Sequence, residues 1–157
     1  MSYQNAFRPY EPGPAYAGLN TSGVLSRRFF AYLVDILAIS VLVVLFSFLV
    51  TILGALTFGL GWILFGFLVP VTAILYSAVT VGGAGGGTVG MRMAGLRAID
   101  SETGGPVGLL SAGAHALLFY VAAGTFLLLV FDVMVGLTRG DRRLGHDLLA
   151  GVILIRR

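Results

Sequence analysis

Two apolar runs in the first half of the chain, residues 29–53 and 60–81, restrict what it can fold into more than any other feature. The first contains a single charge, Asp35, and the second contains none. About 20 apolar residues suffice for a helix to cross the hydrocarbon of a bilayer, and both runs reach that length. Gly54, Gly59 and Gly61 stand between them, so the pattern predicts two spanning helices joined as a tight hairpin. Pro70 lies inside the second run, where it removes one backbone hydrogen bond and bends the helix, a change that membrane helices tolerate.

Composition agrees with lipid as the solvent. Of the 157 residues, 57% are apolar and 11% charged, against roughly 45–50% and 25% in soluble domains. The absence of cysteine excludes disulfides, thiolate metal sites and cysteine nucleophiles. All ten basic residues are arginine, and five of them (Arg139, Arg142, Arg143, Arg156 and Arg157) fall near the C-terminus. Basic clusters beside apolar runs set membrane orientation, whereas nucleic-acid binding calls for a broader basic face with interleaved aromatics. Residues 1–23 are rich in proline and glycine, have no apolar period, and read as a flexible polar tail. The apolar run that follows is too long for the core of a secretory signal.

A polar connection over residues 82–108 opens with a glycine run and closes with Asp100, Glu102 and Pro106. Val89, Met91 and Met93 alternate with Gly90 and Arg92, which predicts a short strand, and Val152 to Ile155 have strand-like composition as well. The two suggest a small β patch at the cytoplasmic surface. The third apolar segment, residues 109–136, contains His115 and Asp132, with Gly124 near its middle. If it crosses once, one basic cluster lies on the wrong side; if it turns back near Gly124, all of them share a face, and we lean toward both termini being cytoplasmic. The fold class is therefore an all-α integral membrane protein: a helical hairpin, then a third apolar segment that spans or re-enters.

Arg28, Tyr32 and Asp35 lie on one face of the first helix. An ionised carboxylate at the centre of a membrane helix costs about 2.5–3.5 kcal/mol on insertion scales, so Asp35 needs compensation. Arg28 reaches it only in part, which points to Arg92, Arg142 or His115 as its partner. Asp35 then serves either as an ion or proton site or as a structural pair that fixes helix packing. The glycine run lacks the Gly-Lys-Ser/Thr ending of a phosphate loop and follows an apolar helix, which argues against a nucleotide. The two histidines, His115 and His146, lack metal-ligand spacing, and no nucleophile elbow is present, so no metal, no cofactor and no covalent catalysis are expected.

Three pieces in order resemble the RDD family of small membrane proteins. They are Arg28-x-x-Ala31-x-x-x-Asp35, the segment from Gly87 to Asp100, and the closing string Arg143-Leu144-Gly145-His146-Asp147 followed by Ala150-Gly151. Family members often carry Pro-Gly-Lys where this chain has Val89-Gly90-Met91, and an arginine where it has His115. The resemblance, over residues 23–155, implies a membrane location and transport of an ion or small solute as an expectation. Two hypotheses follow. In one, Arg28, Asp35 and Asp147 form a coupled charge site in an oligomeric transporter, with Arg92, His115, Asp132, Arg142, Arg143 and His146 as possible charge partners. In the other, the chain is an accessory or assembly subunit of a larger membrane complex and the charges lock its packing. Either way the partners are the bilayer and other membrane protein, with the ligand open.

Overall fold

The computed structural model describes residues 19–157. The tail read over residues 1–23 lies mostly outside them; the part that is described, 19–23, is tied down, since the Asn20 carbonyl accepts a hydrogen bond from the Arg156 amide at 2.9 Å. Helix α1 (Val24–Leu56) starts after Gly23 and runs for 33 residues, longer at both ends than the predicted segment 29–53. At about 1.5 Å per residue it is about 50 Å long. A single 3-10 turn (Leu60–Leu64) then leads into α2 (Phe65–Gly82), which contains Pro70.

The predicted hairpin is present, and its turn has a clear physical basis. Thr57 Oγ1 donates to the Leu53 carbonyl at 2.7 Å and accepts from the Gly61 amide at 2.7 Å, so one side chain joins the end of α1 to the following turn. A Cβ on Gly61 would lie 2.8 Å from the Gly54 nitrogen, an approach that only glycine permits.

The predicted strand at Val89 to Met93 is instead a one-turn helix, α3 (Val89–Met93). Thr88 caps it by accepting from the Met91 amide at 3.0 Å, and Gly95, at φ 68°, ends the turn after it. A β patch does exist, starting at the next element. Strand β1 (Leu96–Asp100) pairs antiparallel with β2 (Val152–Arg156), with Leu96 opposite Arg156 and Asp100 opposite Val152.

Between the strands the third apolar segment is broken into α4 (Leu109–Ala123) and α5 (Phe126–Thr138), and a short α6 (Gly145–Leu149) follows. The break at Gly124 and Thr125 reverses the chain. In one straight helix, residues 115 and 132 would stand about 26 Å apart at about 1.5 Å per residue. Here both meet His146: the His115 ring lies 4.8 Å from the His146 ring, and Asp132 bonds His146 at 2.7 Å.

The buried apolar core sits at one end of the molecule. It joins Val24 and Ala31 of α1, Val81 of α2, Ala94, Leu96 and Ala98 around β1, Val107, Ala112 of α4, and Val152 and Leu154 of β2. Away from this end, α1 and α2 present their apolar side chains outward: only 6% of the most apolar window of α1 is buried, and Leu37 is 69%, Phe48 67% and Leu56 73% exposed. A core helix of a water-soluble protein is buried by its neighbours; these two helices are long and apolar enough to cross a membrane, and the described residues leave most of their surface uncovered.

Candidate functional site at the polar end of the hairpin

The buried polar side chains gather beside this core in two clusters. The first surrounds Asp35, which is 8% exposed. Its Oδ1 accepts from the Tyr76 hydroxyl at 2.7 Å and from the Gly90 amide at 2.8 Å, and its Oδ2 accepts from the Thr88 hydroxyl at 2.6 Å. The Tyr76 hydroxyl in turn accepts from the Val89 amide at 3.1 Å. This corrects the expected partner of Asp35. None of Arg28, Arg92, Arg142 and His115 bonds it; three neutral donors from α2 and the start of α3 hold it instead. The expected cations are turned elsewhere: Arg28 and His115 toward α6, Arg142 to the Leu137 carbonyl at 3.0 Å, and Arg92 outward on α3, exposed. Charge-assisted hydrogen bonds contribute about 1.5–3 kcal/mol each, so three offset the burial of one carboxylate without a counter-charge.

The second cluster is centred on Asp147, which is fully buried. Arg28 forms an ion pair with its Oδ2 at 2.5 Å, and the Leu144 amide donates to the same oxygen at 2.8 Å. On Oδ1, His115 Nε2 lies at 2.8 Å and His146 Nε2 at 3.4 Å. Burial by itself pushes the Asp147 carboxyl up, but the Arg28 guanidinium and the His115 hydrogen bond outweigh it and hold the carboxyl well below the usual range. Asp132 of α5 grips His146 twice, accepting from its amide at 2.7 Å and meeting ring Nδ1 at 2.7 Å. Arg143 donates to the Val152 carbonyl at 3.0 Å and to the Asp147 carbonyl at 3.3 Å, tying α6 to β2. The sequence set of Arg28, Asp35 and Asp147 is therefore divided: Arg28 and Asp147 pair, and Asp35 stands in its own network. Of the possible partners, His115, Asp132, Arg143 and His146 join the Asp147 cluster, whereas Arg92 and Arg142 do not.

A cavity of about 90 Å³ separates the clusters, with Arg28, Asp35, Ser77, His115, Tyr120 and His146 on its wall. That is space for several water molecules. Arg28 Nε on this wall is buried and has no hydrogen-bond partner among the described residues. Sequence reasoning missed Tyr76 and Thr88. Thr88 had a readable signal, a threonine directly before a short apolar turn, which marks a helix cap; Tyr76 had none. Among the described residues, His115, His146 and Asp147 also form a group able to hold a metal ion, with one ligand atom from each within 4.8 Å of the others.

The RDD family model matches residues 23–151, from the glycine before α1 to the one before β2. No curated protein matches the chain, and no solved structure does. The matched span contains both buried clusters and the ordered elements that build them, and the chain belongs to the RDD family, a family of membrane proteins.

Proposed function

We propose that the chain is a multi-pass protein of a cytoplasmic-type membrane that moves a small cation or a proton, with Asp35 as the acid that binds it. The observation carrying this reading is that Asp35 is a buried carboxylate on a cavity wall with no cationic side chain among the described residues bonded to it, while the nearby Arg28 is committed to Asp147. A carboxylate offers about four acceptor positions, and the three neutral donors leave one on Oδ2. A mobile cation or proton supplies the charge that the protein withholds, and an acid placed among apolar helices most often marks such a pathway.

The proposed topology has α1 and α2 as spans and α4–α5 as a re-entrant hairpin. At about 1.5 Å per residue, α4 and α5 are about 20 Å long each, short of the ~30 Å of hydrocarbon. Arg27 bonds the Ala94 carbonyl, Arg28 pairs with Asp147, Arg143 bonds Val152, and Arg157 reaches the Gly85 carbonyl, so the arginines gather at the core end. That end is the cytoplasmic one under the positive-inside rule.

Purified protein in liposomes loaded with a pH-reporting dye tests the reading. Wild type is expected to show a cation-dependent internal pH change, and Asp35→Asn to lose it. Equal signals from the two proteins, or no signal from wild type, would overturn transport, and an unrelated subunit co-purifying in mild detergent would then favour the accessory role.

A further inference from the structure

We infer that His115, His146 and Asp147 form a binding site for a divalent metal ion of the zinc class, with Asp132 as the positioning residue behind His146. The three ligands arrive from α4 and α6 and are buried, at 5%, 4% and 0% exposure. Asp147 Oδ1 lies 2.8 Å from His115 Nε2 and 3.4 Å from His146 Nε2, and all three atoms fall within 4.8 Å of one another. With bonds of about 2.0–2.2 Å, ligand atoms around a tetrahedral zinc stand roughly 3.3 Å apart, so small side-chain shifts admit the ion.

The hydrogen bonds around the group assign its lone pairs. Asp132 Oδ2 faces His146 Nδ1 at 2.7 Å, and an ionised carboxylate only accepts, so Nδ1 carries the ring proton. The other ring nitrogen, Nε2, faces Asp147 Oδ1 at 3.4 Å. A metal ion at this place would take the position that a second ring proton would otherwise fill, bound by both atoms. A histidine ligand held through its other nitrogen by a carboxylate is the usual outer arrangement of a metal site. On Asp147, Arg28 and the Leu144 amide occupy Oδ2, and Oδ1 meets the two imidazoles, so an ion there replaces the His115 hydrogen bond with ligation by the same nitrogen.

The neighbouring charges tolerate a dication. Facing the group are the carboxylates of Asp35, Asp132 and Asp147 and the guanidinium groups of Arg28 and Arg143, one negative charge in excess. Arg143 is turned to backbone carbonyls. The cavity wall includes His115 and His146, so water or an exchangeable ligand can fill the fourth position. Two imidazoles and one carboxylate without thiolate suit zinc or cobalt better than calcium or magnesium, which prefer all-oxygen shells.

The inference does not rest on the transport reading, because Asp35 is not a ligand. The test uses the full chain in detergent, stripped with a chelator and titrated with Co²⁺. One equivalent per chain, with the visible bands of four-coordinate cobalt displaced by Zn²⁺, is expected. His115→Ala and His146→Ala are expected to abolish the bands, Asp132→Asn to weaken binding about 10–100-fold, and Glu102→Gln, at an exposed carboxylate outside both clusters, to leave it unchanged. Absence of the bands in wild type, or their survival in both histidine variants, would overturn the site. If the histidine variants do not fold, X-ray absorption of the zinc-loaded wild type decides: two imidazole ligands support the site, and none or one refutes it.

Discussion

Gly90 joins the Asp35 network to the first helix by lacking a side chain. A Cβ there would overlap the Ala31 carbonyl oxygen and lie 2.9 Å from the Asp35 carboxyl carbon, so only glycine lets its amide come within 2.8 Å of Oδ1. Gly90→Ala must push α3 away from α1, with an overpacking cost of about 1–3 kcal/mol and the loss of one charge-assisted hydrogen bond. Gly113→Ala is the matched control: it sits in α4, its Cβ would meet the Ala78 methyl at an ordinary 3.9 Å, and alanine favours helix. Thermal unfolding in detergent is expected to show a lowered midpoint for Gly90→Ala and an unchanged or raised one for Gly113→Ala. The acid at position 35 was legible in the sequence, because one charge inside a long apolar run is conspicuous. Its partners were not, since Thr88 and Gly90 lie more than fifty positions away and only packing brings them to it. The nearness of Arg28 to Asp147, at the far end of the chain, was legible only through the family resemblance, which placed both in one charge site.

The connection between α5 and α6 shows how a short element is held in place. Five residues do not make a stable helix by themselves, and α6 depends on what fixes its ends. Asp141 begins that anchoring: Arg139 donates to both its oxygens at 2.9 and 2.8 Å, and the Arg143 amide donates at 3.3 Å. Burial pushes the Asp141 carboxyl up, but the Arg139 hydrogen bonds, the Arg143 amide and the two guanidinium charges win, leaving it below its usual value. A depressed folded value means that the stabilisation is complete above the unfolded carboxyl range of about 3.9 and is lost as pH falls through the folded value. Asp141→Asn is therefore expected to cost about 1–2 kcal/mol near neutral pH, with a gap to wild type that is constant from pH 7 to 5 and closes below about pH 4. Chemical unfolding at several pH values reads this directly; a gap that closes already at pH 6 would contradict it. Elements of this length were the least legible part of the fold. The alternation of Val89, Met91 and Met93 covers five residues, too few to separate a strand from one turn of helix, and the Thr88 cap together with the Gly90 contact to α1 decides for the turn. The two long helices were legible, because some twenty apolar residues in a row admit few other outcomes.

At the scale of the whole molecule, charge and apolar surface are segregated. Residues 36–91 include no charged residue, while the nine described arginines all lie outside that stretch. The pairing of β1 with β2 returns the chain after α6 to the level from which α4 departs, and Asn20 joins the same sheet edge. Both ends of the described chain are thus at the arginine-rich end, and the turn between α1 and α2, with Phe58 fully exposed at its tip, is about the length of a helix away. With α1 and α2 across a bilayer, only one side can receive both ends. The chain has no cysteine, so single cysteines report position without background. An impermeant maleimide on intact cells is expected to label Phe58→Cys, and to label Ser22→Cys and Arg157→Cys only in inverted vesicles. Thr125→Cys, at the fold-back between α4 and α5, is expected to stay unlabelled from either side until detergent is added, because each arm is too short to carry it across. Labelling of Thr125→Cys from the same side as Phe58→Cys would mean that α4 crosses the bilayer, and the fold-back seen at Gly124 could not then be a re-entrant turn.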